Sequence, residues 1–424
     1  MSKSDETTWQ KTWKIFKSYP KLEKDTDTEV VIVGGGIAGI TLSYLLAKEG
    51  KKVILASKGT LSENGETAET TAFITYEIDT RLQDLKKMFG EEEALSVWRS
   101  GADAIDEMER IILEESIDCE FMRTPLFLFA NTRRGWQGIE EEAKLGQKAG
   151  FDIKIFKDSS GLPFPNQGYV MFEKQAIFHP LKYCDGLRQS AEKYGAKFFE
   201  NTEIKTIENK GGRVVASAAG VKVTADWGAV TTYRPFNKPK ELFAKKGMYK
   251  SYVVELSIPL GTMPGGLYID TDNPYHYFRI DRGQSADRML LGGEDHRKEI
   301  KMNPEKNFGA LLEYAEKILS GAKYEVATEW AGSILETIDG LPYIGPYSKE
   351  NPNLSVATGF SGNGITYSII AGKIIRDYIN NSPNNSAKIF RATRPYSFKA
   401  FTIKFFDYAE EFFRGAMKNI WRKK

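Results

Sequence analysis

The sequence predicts an α/β protein, with a doubly wound parallel sheet built from discontinuous segments and an antiparallel sheet beside it. Three observations carry this. "EVVIVGGGIAGITLSYLLAKEGKKVILASKG", Glu29 to Gly59, reads as strand, glycine turn, helix and second strand. "NLSVATGFSGNGITYSIIAGKIIRDYI", Asn353 to Ile379, repeats strand, Gly-rich turn and helix near the other end of the chain. Between them the hydrophobic period falls to two, the pattern of half-buried strands.

The elements follow in order. Residues 29–33 are a continuous apolar run of the kind buried in parallel sheets. The helix over 37–49 aligns Ile37, Ile40, Tyr44, Leu45 and Ala47 and stops at Gly50. "KKVILA" is the second buried strand. Residues 81–116 predict two helices parted near Gly90, 136–150 a third and 180–196 a fourth. "KFFENTEIKTIENKGGRVVASAAGVKVTADWGAVTT" predicts three strands of a meander. Residues 248–295 are strand-rich, and a helix follows around 306–320. The two glycine turns lie far apart in sequence, so a sheet holding both must be discontinuous.

Composition narrows the function. A chain of 424 residues has room for roughly two to four compact units. The net charge of +2 lacks the basic excess of a nucleic-acid binder, and no nucleic-acid partner is expected. Cys119 and Cys184 form neither a CxxC spacing nor a disulfide framework, which fits a reducing, cytoplasmic compartment. With only His179, His276 and His296 available, no metal site or His-based triad is expected. The N-terminus has no apolar signal core, and no apolar run is long enough to span a bilayer.

Gly34, Gly36 and Gly39 form GxGxxG between a strand and a helix. The first permits the tight turn, the second admits a pyrophosphate to the backbone, and the third lets helix and strand pack closely. Ile37 and Ala38 open the helix whose N-terminal N–H groups would face the phosphates. The second strand ends in Ser57, where a carboxylate usually binds the ribose diol. A hydroxyl there makes one neutral hydrogen bond instead of two charge-assisted ones, weaker by about 1–3 kcal/mol. Lys58 follows, which leaves a 2′-phosphate, hence NADP, as a second reading.

The last turn decides between cofactors. Gly359, Phe360, Ser361, Gly362, Asn363, Gly364, Ile365 and Thr366 bring backbone N–H groups and a helix N-terminus to one spot. A nicotinamide enzyme needs no second site of this kind. A flavin does, because its reduced pyrimidine end is anionic. FAD is therefore the expected cofactor.

These segments carry a resemblance. The chain resembles the FAD-dependent oxidoreductases of the D-amino-acid oxidase and glycine oxidase family through "VVIVGGGIAGITLSYLLAKEGKKV", "FHPLKYCDGLRQSAEKYGAKFFENTEI" and "DGLPYIGPYSKENPNLSVATGFSGNGITYSIIAGKII". It is most similar to the bacterial subgroup whose flavin domain is often followed by a Rieske domain, through "TTAFIT", "YRPFNKPKELFAKKGMYKSYVVEL" and "ETIDGLPYIG". The likeness spans roughly 9–410. It implies a Rossmann-like FAD-binding domain over 27–83, 166–235 and 326–395, and a substrate or cap domain over 84–165 and 236–325. An N-terminal arm (1–26) and a C-terminal tail (396–424) flank them. It also implies cofactor contacts at Ile204 and near Thr70, Thr71 and Ala72, and at Thr231 and Thr232, where small residues are usual.

The chain departs from the family in four places. Ser57 replaces the ribose-binding acid, and Thr231 and Thr232 replace small residues. The paired Cys and His of a Rieske cluster are missing, so no such domain is expected. Ile334 stands where amino-acid oxidases of the family carry a substrate-binding Arg. Tyr268, Tyr275, Tyr277 and Arg279 are the candidates for the substrate face, Arg279 as a replacement carboxylate clamp; core packing for the tyrosines and a surface position for Arg279 are the competing readings.

The tail from Ala400 to Lys424 aligns Phe405, Ala409, Phe412, Ala416 and Ile420 on one helical face. It would dock on the protein's own body, a partner or a membrane surface, as a peripheral contact. The leading functional reading is hydride transfer to FAD from an amine or amino-acid-like C–H donor, with O₂ or a separate electron acceptor completing the cycle. The alternative is a degenerate member with weak or no flavin binding that acts as an interaction or membrane-surface protein.

Overall fold

The computed structural model describes residues 6–14, 17–63, 65–236, 246–300, 302–395 and 402. The amphipathic tail lies outside the described residues apart from Thr402. Among the described residues no helix is long and apolar enough to cross a membrane.

The strands are β1 (Thr26–Val33), β2 (Val53–Ala56), β3 (Phe73–Ile74), β4 (Met122–Phe129), β5 (Ile153–Phe156), β6 (Tyr169–Ile177), β7 (Lys197–Phe199), β8 (Thr206–Lys210) and β9 (Arg213–Ser217). They continue as β10 (Lys222–Val230), β11 (Lys246–Ile258), β12 (Gly266–Asp270), β13 (His276–Asp281), β14 (Asp287–Arg297), β15 (Glu325–Thr337), β16 (Tyr343–Pro346) and β17 (Leu354–Thr358).

The first sheet runs β16-β17-β10-β1-β2-β7. Its pairs from β17 to β7 are parallel, and only β16 turns back. The helices Ile37–Lys48, Pro180–Lys193 and Gly364–Ile379 pack together on one face. On the other face Val31, Val33, Ile54 and Val356 bury against Ile207, Val214 and Ala216 of β8 and β9. The second winding is thus a hairpin layer. β8, β9 and β10 form the expected antiparallel three-strand meander, and the preceding β7 joins β2 in parallel.

The second sheet runs β15-β11-β14-β13-β12-β4-β6-β3, with β5 on β6. It is antiparallel except for β4 against β12. β6 and β15, grouped by sequence with the FAD-binding segments, lie in this sheet. Its two faces differ as the period of two requires. On β11, Tyr252 and Val254 enter the core with Tyr268, Phe278 and the helix Pro304–Leu319. Ser251 and Val253 alternate onto the face toward the first sheet.

The N-terminal arm is part of the body. Its helix Thr8–Thr12 starts with a capping box between Thr7 and Gln10 and buries Trp9 completely. At the other end, Arg394 binds both oxygens of Asp339 at 2.7 Å, donates to Pro342 and Leu341 carbonyls at 2.7 and 2.6 Å, and stacks on Tyr343 at 4.1 Å. This clamps 387–395 to the edge of the first sheet, where Ala392 N–H bonds Ile344 O at 3.0 Å. Removing one partner of a buried pair strands the other charge. Arg394→Met is expected to lower stability by about 3–5 kcal/mol, measured by urea unfolding. An unchanged midpoint would show that the clamp is not needed.

Candidate functional site

A cleft of about 980 Å³ opens where Val33, Ala56, Thr231 and Thr358 end the parallel strands. This is where open α/β sheets bind ligands. Its volume lies at the upper end of ligand sites of about 300–1,000 Å³.

The first glycine turn forms one wall. Gly34 has φ +124°, which an L side chain rarely adopts. A Cβ on Gly34 would meet Thr231 at 2.9 Å, and one on Gly39 would lie 1.9 Å from Gly34 O. The Thr231 hydroxyl points into this contact, bonding Val33 O at 3.1 Å and Gly34 O at 3.2 Å. Thr231 therefore braces the turn. The helix begins without a side-chain cap on Gly36, and Thr67 Oγ1 accepts the Ile37 N–H at 3.2 Å. Ser57 follows β2 at the cleft, its hydroxyl donating to Gly59 O at 2.8 Å. Lys58 pairs with Glu203 at 3.2 Å, and Lys205 also bonds Glu203.

The second turn faces the same space. Gly359 has φ +76° and Ser361 φ +51°. Gly364 starts the helix behind an Asn363 that makes no cap bond. Asn363 instead donates to Thr75 Oγ1 at 3.2 Å and Glu77 O at 3.3 Å, while Asp79 accepts the Gly362 N–H at 2.7 Å. One backbone donor of the turn is thus engaged by a carboxylate of the chain itself.

Between the turns the backbone of 69–72 is held from behind. Trp330 Nε1 donates to Glu69 O at 2.8 Å and Trp9 Nε1 to Thr70 O at 2.6 Å. Arg279 Nη1 donates to Thr71 O and Ala72 O at 3.3 Å and to Phe178 O at 3.2 Å. Asp281 anchors Arg279 at 2.5 Å and also holds Arg288 at 2.6 Å. Both guanidinium groups lie over Trp9, at 5.3 and 5.2 Å. Arg279 is only 2% exposed and does not line the cleft. The expected carboxylate clamp is therefore corrected: Arg279 props up the loop.

The second sheet supplies the far wall. Tyr277 crosses β14 over Gly292, where a Cβ would lie 2.2 Å from the ring. It stacks with Tyr275 at 5.9 Å and meets Phe73 edge-on at 5.6 Å. Tyr277 shares a 3.1 Å hydrogen bond with Ser251, and Tyr275 donates to Asp295 at 3.1 Å. Burial pushes the Asp295 carboxyl up to about 6. Tyr268, also expected here, is fully buried in the opposite face, stacked on Phe278 at 4.4 Å. Position parity on the strand explains the split.

Most expected cofactor contacts meet in the cleft: Gly34, Gly36, Ile37, Ala38, Ser57, Lys58, Thr70, Thr71, Ile204, Thr231, Thr232 and 359–365. Gly39, Ala72 and Thr366 are beside it but do not line it. Gly39 is under the turn, Ala72 is fully buried at φ +58°, and Thr366 donates to Thr75 O at 3.0 Å. Sequence reading missed Glu66, Thr67, Glu69, Asp79, Glu203 and Ser251, all of which line the cleft. "ENGETAETT", polar and acidic beside the TTAF stretch, was the available signal for the first three. Burial and Glu66 push the Glu69 carboxyl up to about 7, against the pull of Lys250 and Lys298.

Two glycine-turn helices aimed into one cleft, under a strand wall, define a flavin-type oxidoreductase. The chain belongs to the FAD dependent oxidoreductase (DAO) family, which matches residues 29–378; its cofactor is FAD. It is 29% identical over 391 residues to YhfW of Bacillus subtilis (strain 168), named for a Rieske 2Fe-2S iron–sulfur centre, covering 92% of this chain and 75% of that one. It is 24% identical to glycine oxidase of Bacillus licheniformis, over 86% of this chain and 97% of the relative. The fold resembles the crystal structure of glycine oxidase from Geobacillus kaustophilus with TM-score 0.74 at 19% identity, covering 88% of this chain and 100% of that one.

The contact between Gly39 and Gly34 O leaves no room for a methyl group. Gly39→Ala is expected to destabilise the protein by about 1–3 kcal/mol and to lower flavin affinity. Thermal unfolding and flavin titration measure both. Unchanged values would show that the turn and helix can separate without consequence.

Proposed function

We propose that FAD lies extended in the cleft and that the protein oxidises an amine or amino-acid-like C–H donor by hydride transfer, with O₂ or another acceptor taking the electrons. The observation that carries this reading is the convergence of the two glycine turns on one cleft. In this arrangement Gly34, Gly36, Ile37 and Ala38 hold the pyrophosphate against a helix N-terminus. Ser57, Lys58 and Ile204 meet the adenosine end. Thr70, Thr71 and 359–365 meet the ring, with Thr231 and Thr232 near the middle.

FAD supplies two-electron acceptance when bound. The chain's own residues do the rest. The 69–72 backbone is fixed by Trp9, Trp330 and Arg279, which preorganises the wall that would orient the ring. Phe73, Tyr275 and Tyr277 present an apolar surface that excludes water from the reacting carbon. Sequence-matched amino-acid anchoring is not available, because Ile334 lies at the Arg position and Arg279 is committed elsewhere.

Ser57 also receives a compensating partner in this reading. Thr202 N–H bonds Ser57 O at 2.7 Å and brings Glu203 to the end of β2. We assign Glu203 the ribose-binding role that a carboxylate at 57 would have. Lys58 and Lys205 keep it ionised, lowering its carboxyl below the usual range.

The visible absorption spectrum, taken before and after adding FAD, tests the cofactor reading: flavin bands are expected. Glu203→Gln is expected to weaken FAD binding about 10- to 100-fold and leave FMN binding, which involves no adenosine, unchanged. Adding Ser57→Glu to that variant should restore FAD affinity. Equal loss for FAD and FMN, or no loss, would remove Glu203 from the ribose.

A further inference from the structure

We propose that the cleft takes its substrate as an alkylammonium ion without an α-carboxylate, with Glu69 as counter-charge and Phe73, Tyr275 and Tyr277 as the aromatic wall. This rests on the flavin-dependent oxidation proposed above and names the substrate class for the same site.

The charges on the wall are the first reason. The cations that line the cleft among the described residues are Lys58, Lys205 and Arg234. Lys58 and Lys205 are bound to Glu203 at the Ser57 end. At the other end Glu66, Glu69 and Asp79 line the cleft. The position that would carry a carboxylate-binding Arg holds Ile334, and the Arg279 guanidinium is occupied by Asp281 and three carbonyls. Arg234 acts on Glu66 at that end, but against Glu66, Glu69 and Asp79 together a substrate carboxylate would still enter a region of net like charge.

The second reason is where Glu69 sits. Its side chain packs against β15 at Gly332, two positions before Ile334; a Cβ on Gly332 would lie 3.4 Å from Glu69 Cβ and 3.5 Å from Oε2. It has no ion-pair partner among the described residues, so a bound cation would fill that role. Lys250 of β11 lies over the Tyr252 ring at 5.6 Å, and burial and Glu66 outweigh its pull on Glu69.

The aromatic wall is the third reason. Phe73, Tyr275 and Tyr277 all line the cleft, and Tyr277 contacts both of the others. Ring faces attract ammonium and methylated ammonium groups and offer nothing to a carboxylate.

The reaction balances on this substrate. The ammonium first loses one N–H proton to water. The neutral amine's carbon then gives a hydride to FAD, leaving an iminium ion. Water hydrolyses that ion to a carbonyl compound and a released amine or ammonium, and the two electrons leave to O₂ or another acceptor.

The test uses the FAD-loaded full chain under anaerobic conditions. Butylamine and N-methylbutylamine are compared with norvaline and N-methylnorvaline, which add only the α-carboxylate. The amines are expected to bleach the flavin at least about tenfold faster. Butyltrimethylammonium, which resists oxidation, is compared with pentanoate by perturbation of the flavin spectrum. The cation is expected to bind, and Glu69→Gln to weaken it about 10- to 100-fold. Ile334→Arg should shift preference toward norvaline.

Faster bleaching by norvaline would overturn the substrate class, as would tighter binding of pentanoate. An unchanged cation affinity in Glu69→Gln would overturn the role of Glu69. Cation binding without bleaching by any amine would leave the charge selection standing and sink the oxidation reading instead.

Discussion

The contact between the first glycine turn and the start of its helix sets the position of everything around the cleft. Gly39 passes Gly34 O so closely that a Cβ would lie 1.9 Å away, and Thr231 closes the contact from β10. That fixes the helix N-terminus over the ends of β1 and β10, which pair in parallel up to Val33 and Val230. β17 pairs with β10 in turn, so the second glycine turn arrives beside the first although far from it in sequence. The sheet register, more than any single side chain, brings the two turns together.

The second sheet then depends on a buried charge network for its fit against the first. Trp9 from the N-terminal arm, Arg279 and Asp281 from β13 and Arg288 from β14 meet behind residues 69–72. Every carbonyl from Glu69 to Ala72 accepts a bond from Trp330, Trp9 or Arg279. A buried guanidinium is tolerable only when its donors are matched in this way. The loop that faces the cleft is therefore shaped by residues that never touch it from the cleft side.

This division explains what the sequence made legible. The glycine turns were readable because their demands are local: a positive φ, a close helix and a free N-terminus follow from neighbouring residues. The segments 34–38 and 359–365 line the same cleft. Arg279 was misread because its partners lie more than two hundred positions away, at Trp9 and Thr71–Ala72. Tyr268 follows the core-packing reading rather than the substrate-face one, because strand parity, which sends Tyr277 to the cleft and Phe278 to the core, depends on register. Thr231, a departure from the family's small residues in sequence, is a brace in the fold. Glu203 was invisible because it becomes a neighbour of Ser57 only through the parallel pairing of β7 with β2.

The two turns are proposed to serve one FAD molecule, the first its pyrophosphate and the second its flavin ring. A crystal structure of the FAD complex tests this most directly. The account predicts the pyrophosphate over Gly34–Ala38, the adenosine beside Ser57 and Glu203, and the flavin ring between 70–71 and the Tyr275–Tyr277 wall, its pyrimidine end at Gly362–Gly364. An adenine ring at the second turn, or a flavin held outside the cleft, would contradict it.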